Sequence, residues 1–117
     1  MALLFLTYRL SRTVNTLSPE QLSENAHRVA EILKQIANPN RLMILCALAQ
    51  QELSVSQLNQ QIDLSQSALS QHLAKLREHG IVSTRRASQT IYYCVTEPSI
   101  KVLLETLYRE FCSAADQ

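Results

Sequence analysis

Glycine occurs once in the 117 residues, proline three times and tryptophan not at all. A β-sandwich or a doubly wound α/β fold needs many tight turns, so a single glycine argues against both. No apolar run approaches the roughly 18 residues that a membrane span requires. The apolar start, Ala2–Leu6, is short, has no positive charge before it and no small-residue cleavage site after it. These features argue against a secretory signal and for a cytoplasmic protein. Cysteine is scarce: Cys46, Cys94 and Cys112 lie far apart and form no CxxC. A disulfide framework is therefore not expected, and any thiol chemistry is reactive or sensory. Neither sign of charge dominates. The formal net charge of +1 excludes a strongly basic coat but not a local basic patch. What the chain does have is 46% hydrophobic residues, enough for one modest core. A domain of this size buries about two-thirds of its unfolded surface, so it can fold alone and still gain from a partner chain.

Residues 1–17 carry Arg9 and Arg12 and no acid, with Leu3, Leu6, Leu10, Val14 and Leu17 near helical spacing. They read as an extension, either an extra amphipathic helix lying on a dimer partner or a frayed end. From Ser18 the signals sharpen. Ser18-Pro19-Glu20-Gln21 places a cap, then proline at the first helical position and glutamine at the third, as in a capping box. Leu22, Ala26, Val29, Leu33 and Ile36 follow at helical spacing. Asn38-Pro39 ends that helix and starts another, to about Ala49, whose apolar surface is shared by Leu42, Leu45, Cys46 and Leu48. Ser54 repeats the cap logic for a short helix ending near Ile62, and Asp63-Leu64 makes a turn. Ser65 caps a longer helix over Gln66–His79, with Leu69, Leu73 and Leu76 on one side and Ala68 beside them. Gly80 sits where a helix needs a left-handed stop. Ile81–Arg86 and Thr90–Val95 alternate and predict a hairpin joined by Ala87-Ser88-Gln89. Pro98 opens a last helix to about Cys112, with Ile100, Leu103, Leu104, Leu107 and Phe111 on its apolar side.

This order, a short helix, a turn, a longer helix and a hairpin inside two outer helices, predicts a mainly α fold with a β-hairpin wing. That is a winged helix-turn-helix over residues 18–117, in which the second helix enters the major groove. The face opposite the Leu69/Leu73/Leu76 stripe carries Gln66, Ser67, Ser70, Gln71 and Lys75. Glutamine can pair bidentately with adenine and serine can donate or accept, which suits base edges. His72 reads as a flanking or core-edge residue. Charge partitions accordingly. Residues 65–95 carry Lys75, Arg77, Arg85 and Arg86 against Glu78, a net +3, while 18–64 and 96–117 are each −2. Arg77 belongs to this basic set, and Arg85 and Arg86 on the wing are expected ligands for phosphate or the minor groove. Arg41, near a helix start, is either a further phosphate contact or half of a structural ion pair. One module buries little DNA, so two copies on a two-fold-related site are expected. The outer helices, each apolar on one stripe, suit the interface of a homodimer.

These residues closely resemble the ArsR/SmtB family of bacterial winged-helix repressors from about Ser23 to Cys112. The resemblance rests on Ala37-Asn38-Pro39-Asn40-Arg41-Leu42 with Ile44-Leu45, and on Glu52-Leu53-Ser54-Val55-Ser56-Gln57-Leu58. Leu64-Ser65-Gln66-Ser67-Ala68-Leu69-Ser70-Gln71-His72-Leu73 and Gln89-Thr90-Ile91-Tyr92-Tyr93 complete it. It implies a homodimer joined through its first and last helices. Many members sense metals through an ELCVCDL-type motif, but this chain has Ser54 and Ser56 where those thiolates would stand, and serine is a poor ligand for soft metals. The last helix has no acid/histidine pairs, and His27, His72 and His79 are scattered. Neither metal nor other cofactor is therefore expected.

Cys46 and Cys112 match the two thiol positions of the dithiol (BigR/SqrR/HlyU-like) subgroup. The subgroup's implied chemistry is reaction with persulfides or polysulfides, bridging the two sulfurs and weakening operator binding. A thiolate attacks and a second thiol resolves the adduct. Sulfurs held slightly too far apart for an unstrained disulfide would favour a longer bridge. Cys94 matches no subgroup thiol; it faces the side of its strand away from Ile91, Tyr93 and Val95 and reads as structural. Tyr92 and Tyr93 read as packing residues at the wing base. At this level the two thiols serve equally a general peroxide/disulfide sensor, and inert cysteines in a constitutive DNA-binding dimer also fit. Repression and anti-silencing are both open. An enzyme is not expected: there is no active-site CxxC, Ser-His-Asp order, glycine-rich phosphate loop or paired-acid site.

Overall fold

The computed structural model describes residues 18–112. The expectation of a helix within residues 1–17 lies outside the described residues. In chain order the elements are α1 (Pro19–Ile36), α2 (Pro39–Gln50), β1 (Leu53–Ser54), α3 (Val55–Gln61), α4 (Gln66–Glu78), β2 (Val82–Ala87), β3 (Thr90–Val95) and α5 (Pro98–Phe111). The chain divides into two compact units, through Glu31 and from Ile32 onward, and that division falls within α1.

Helix starts follow the capping chemistry of the sequence. Ser18 and Gln21 form a reciprocal box: Gln21 N–H donates to Ser18 Oγ at 3.2 Å and Ser18 N–H to Gln21 Oε1 at 3.0 Å. Ser54 and Gln57 repeat it at α3, at 3.2 and 2.9 Å. Asn38 Oδ1 accepts from the amides of Asn40 and Arg41, and Ser65 Oγ from that of Ala68. Each cap satisfies amides that the first helical turn leaves without partners. Helix α4 ends at Gly80, whose φ of +73° is left-handed. There Ile81 N–H bonds the Leu76 carbonyl and Gly80 N–H the Arg77 carbonyl, so the chain turns straight into the wing. Between α3 and α4, Asn59 Nδ2 donates to the Leu64 carbonyl at 2.7 Å, fixing the turn of the helix-turn-helix.

The three strands form one antiparallel sheet in the order β1-β3-β2. Val82 pairs with Val95 and Ala87 with Thr90 in the hairpin, while Leu53 and Ser54 of β1 pair with Tyr93 and Tyr92. The two-residue β1 is not signalled by alternation; the pairing edge of β3 creates it. Within the unit from Ile32, the core gathers Ile36, Ile44, Leu45, Leu48, Leu53, Leu58, Leu69, Leu73, Leu76, Ile81, Val82, Ile100 and Leu104. In α2 the buried set is Ile44, Leu45, Leu48 and Ala49, with Leu42 and Cys46 half-buried. That helix is apolar on nearly every face, so periodicity alone does not say which way it turns. Helix α5 buries Ile100 and Leu104 but leaves Phe111 78% exposed, and α1 leaves Leu22, Val29 and Leu33 exposed.

The wing tip carries one unfavourable conformation. Ser88, first of the two residues between the paired Ala87 and Thr90, has φ of +60°, where hairpin turns favour glycine. A side chain in the left-handed region costs about 1–2 kcal/mol, less the roughly 0.5–1 kcal/mol that glycine's freedom in the unfolded chain takes back. Ser88→Gly is expected to raise the unfolding midpoint by a few degrees in a thermal melt; an unchanged or lower midpoint would show that the tip is unstrained.

Candidate nucleic-acid interface and thiol pocket

Helix α4 separates its chemistry cleanly. Leu69, Leu73 and Leu76 are fully buried, and Gln66, Ser67, Ser70, Gln71, Lys75 and Arg77 are all exposed. A helix pinned by three leucines along one side cannot turn its other side inward, so the polar set faces outward as a group. His72 is half-buried, at the edge between the two sides. The wing follows the helix through Gly80, and its strands alternate. Leu53, Tyr93, Val82 and Val95 belong to the core side, and Ser83, Arg85, Tyr92 and Cys94 to the other.

The cations expected on this surface divide. Arg86 is exposed, and its cross-strand neighbour is Ile91. Arg85 is also exposed but is held: Nε donates to Glu52 Oε1 and Oε2 at 2.8 and 2.9 Å, and Nη2 pairs with Oε1. Its guanidinium lies 4.8 Å from the centre of the Tyr92 ring. These hydrogen bonds hold the Glu52 carboxyl below the usual carboxylate range and raise Arg85 in turn. Tyr92 thus serves a cation and only Tyr93 packs on the core. Arg41 makes no ion pair among the described residues; its Nε donates to the Gln35 carbonyl at 2.6 Å and ties α2 to the end of α1.

Glu52 was missed by sequence reasoning. Its one signal is isolation: it is the only charged residue between Arg41 and Asp63. Its partner lies on a strand that is distant in sequence.

The three cysteines are free. Cys94 Sγ lies 3.3 Å from Ser83 Oγ, its cross-strand neighbour, on the face away from the core. Cys46 of α2 and Cys112 at the end of α5 line one cavity of about 440 Å³, together with Leu42, Met43, Ala47, Gln50, Gln61, Ile62, Leu107, Tyr108 and Phe111. Among the described residues that line it, none is charged. Cys46 is half-buried, and burial pushes its thiol above the ordinary value, with the nearby Cys112 adding to the effect. Cys112 is exposed. Among the described residues no group of three His, Cys, Asp or Glu side chains could hold a metal ion, and no helix is long and apolar enough to cross a membrane.

Known proteins share this fold. Residues 38–84 match the model of the bacterial regulatory protein arsR family. The transcriptional activator HlyU of Vibrio cholerae is 44% identical over 95 residues, covering 81% of this chain and 88% of that protein. The structure of its reduced form superposes with a TM-score of 0.75, covering 80% of this chain and 99% of that one. A biofilm growth-associated repressor of Xylella fastidiosa is 43% identical over 105 residues, covering 90% and 92%. The homodimeric winged helix-turn-helix DNA-binding domain of a possible ArsR-family regulator from Mycobacterium bovis matches at 26% identity with a TM-score of 0.68, covering 87% and 90%. With such identity across most of both chains, on a fold that pairs an outward polar helix with a basic wing, the chain belongs to the ArsR family of bacterial transcriptional regulators.

Proposed function

We propose that this regulator binds operator DNA as a homodimer in its reduced form and releases it when persulfides or polysulfides bridge Cys46 and Cys112. The observation that carries the reading is the shared cavity: two thiols from the second and last described helices open into one space whose described lining is largely apolar and uncharged. Gln66, Ser67, Ser70 and Gln71 read base edges, and Lys75, Arg77 and Arg86 neutralise phosphates. The exposed apolar residues of α1 and α5 form the dimer contact, in keeping with the homodimeric relative.

Exposure sets the order of the sulfur chemistry. The exposed Cys112 thiolate attacks a sulfur of an inorganic polysulfide, forming a Cys112 persulfide and releasing the shortened hydropolysulfide. Where that attack falls on an inner sulfur, the adduct is a Cys112 hydropolysulfide; Cys46 then attacks the sulfur next to its terminal one, breaks that sulfur–sulfur bond, expels hydrosulfide and closes a bridge of three or more sulfurs. The two thiols lose two electrons, and the sulfane sulfur leaves reduced. Burial suits Cys46 to the second step, because a scarce thiolate reacts fastest with an electrophile already tethered beside it. The uncharged lining favours polysulfide over peroxide, since nothing charged among the lining residues stabilises a departing hydroxide. Bridging α2 to α5 ties the layer beneath the helix-turn-helix to a dimer helix, and couplings of about 1–3 kcal/mol are usual in such switches.

Three outcomes are expected. Reduced protein treated with an inorganic polysulfide gains whole sulfur atoms, mapped to a Cys46–Cys112 bridge by intact and peptide mass, and loses operator affinity. Peroxide produces no such gain. Polysulfide-treated protein that keeps its mass and its affinity would leave a DNA-binding dimer with inert thiols. In a Cys94→Ser/Cys112→Ser protein, the alkylation rate of Cys46 is expected to climb with a midpoint above the ordinary thiol value of about 8.5. The raised value means that the folded state holds this proton more tightly than the unfolded chain, so stability also declines as pH rises from the ordinary thiol value through the folded one, and levels off beyond it. A midpoint at or below it would remove burial as the controlling factor. Finally, Gln71→Ala is expected to cost about 1–3 kcal/mol at one base pair of each half-site. A uniform loss across all sequences, in a binding-site selection, would reassign Gln71 to the backbone.

A further inference from the structure

Arg85 is on the wing and is exposed, yet its hydrogen-bonding fork is already occupied. Nε and Nη2 are both directed to Glu52, and the guanidinium face lies over Tyr92. The sheet order explains why this contact is unusual. β1 and β2 are the two edges and do not pair; each touches only β3. Ser54, Tyr92 and Arg85 stand in one cross-strand row, and Glu52 lies two residues before Ser54, on the same side by strand alternation. The Arg85 side chain therefore crosses the central strand to reach the opposite edge. That edge leads directly into Ser54, the cap of α3 and the first residue of the helix-turn-helix.

Resting on the DNA-binding reading above, we infer that Glu52 is a positioning residue for the wing. It holds Arg85 across Tyr92, sets the hairpin's attitude toward the helix-turn-helix, and leaves Arg86 as the wing cation that meets phosphate. An Arg85 that turned to DNA would give up a fork of charge-assisted hydrogen bonds and a ring contact. It would also leave the Glu52 carboxylate uncompensated beside an incoming phosphate. Arg86 carries no such cost: it is exposed, it lies on the other side of β2 by alternation, and its cross-strand neighbour Ile91 is uncharged.

The test separates positioning from simple electrostatics. Removing the Glu52 charge would tighten DNA binding if charge alone mattered, because it deletes a repulsion and frees a cation. Under the positioning role, Glu52→Gln weakens operator binding several-fold. Arg85→Gln weakens it as well but keeps the wild-type dependence of log affinity on log salt. Arg86→Gln lowers that slope by about two per dimer, at roughly 0.9 for each phosphate contact. Tighter binding by Glu52→Gln, or an Arg85→Gln slope that falls with that of Arg86→Gln, overturns the inference. Amide hydrogen exchange of the DNA-free reduced protein gives an independent readout. Exchange in β2 and β3 is expected to speed up in Glu52→Gln and Arg85→Gln and to stay unchanged in Arg86→Gln; equal exchange in all three overturns the pin. Wild-type protein that binds no duplex specifically would refute the DNA reading itself, and the exchange data would still decide the pin.

Discussion

Everything that faces outward on the recognition helix does so because Leu69, Leu73 and Leu76 face inward. These three side chains are fully buried beside Leu58, Ile81 and Val82. Burying a leucine is worth about 1.5–3 kcal/mol, so rotating α4 about its axis would forfeit several such terms at once. Gln66, Ser67, Ser70, Gln71 and Lys75 are therefore presented as a rigid set. The turn that aims the helix is fixed from both ends, by Asn59 on the Leu64 carbonyl and by Gly80 in its left-handed stop. Bidentate pairing to a base edge, the role proposed for this surface, requires such rigidity, because loosely held side chains lose geometric discrimination.

The same burial logic shapes the thiol pocket. Helix α2 commits Ile44, Leu45, Leu48 and Ala49 to the core, and this leaves Cys46 at the margin, half-buried and opening into the cavity it shares with Cys112. Apolar surroundings make a poor home for a thiolate, which is why the Cys46 thiol is pushed up. At the far end of α5, Phe111 and Cys112 are both exposed, so an exposed thiol and a large apolar side chain occupy the same helical turn. Any protein surface that covers Phe111 also changes access to Cys112.

The periodic and capping signals in this sequence are local, and they carried through. Ser18, Asn38, Ser54 and Ser65 cap the helices that their neighbours predict, Gly80 stops α4, and Thr90–Val95 forms a strand with the expected bounds. Each of these depends on residues three or four positions apart, where side-chain chemistry alone selects the backbone conformation. The outward set on α4 was legible for the same reason, since a helical stripe of leucines defines its own opposite face. Cys46 and Cys112, singled out by family likeness, line one cavity, a juxtaposition that no local pattern in the sequence specifies.

What the chain's own order determined, then, is the run of helices and strands and the split of α4 into a packed side and a polar side. Tertiary structure decided which charges are committed and which are available. Arg85 and Glu52 are 33 residues apart and meet only because β3 brings two sheet edges together. Arg41 is taken up by the Gln35 carbonyl because one helix ends where the next begins. The short strand β1 exists only because Leu53 and Ser54 lie against Tyr93 and Tyr92. Helix α2, apolar on nearly all sides, took its rotation from what packed around it. Local patterns specify backbone conformation because their energies are felt within a turn of chain, whereas ion pairs, edge strands and pockets depend on which distant residues the core brings into register.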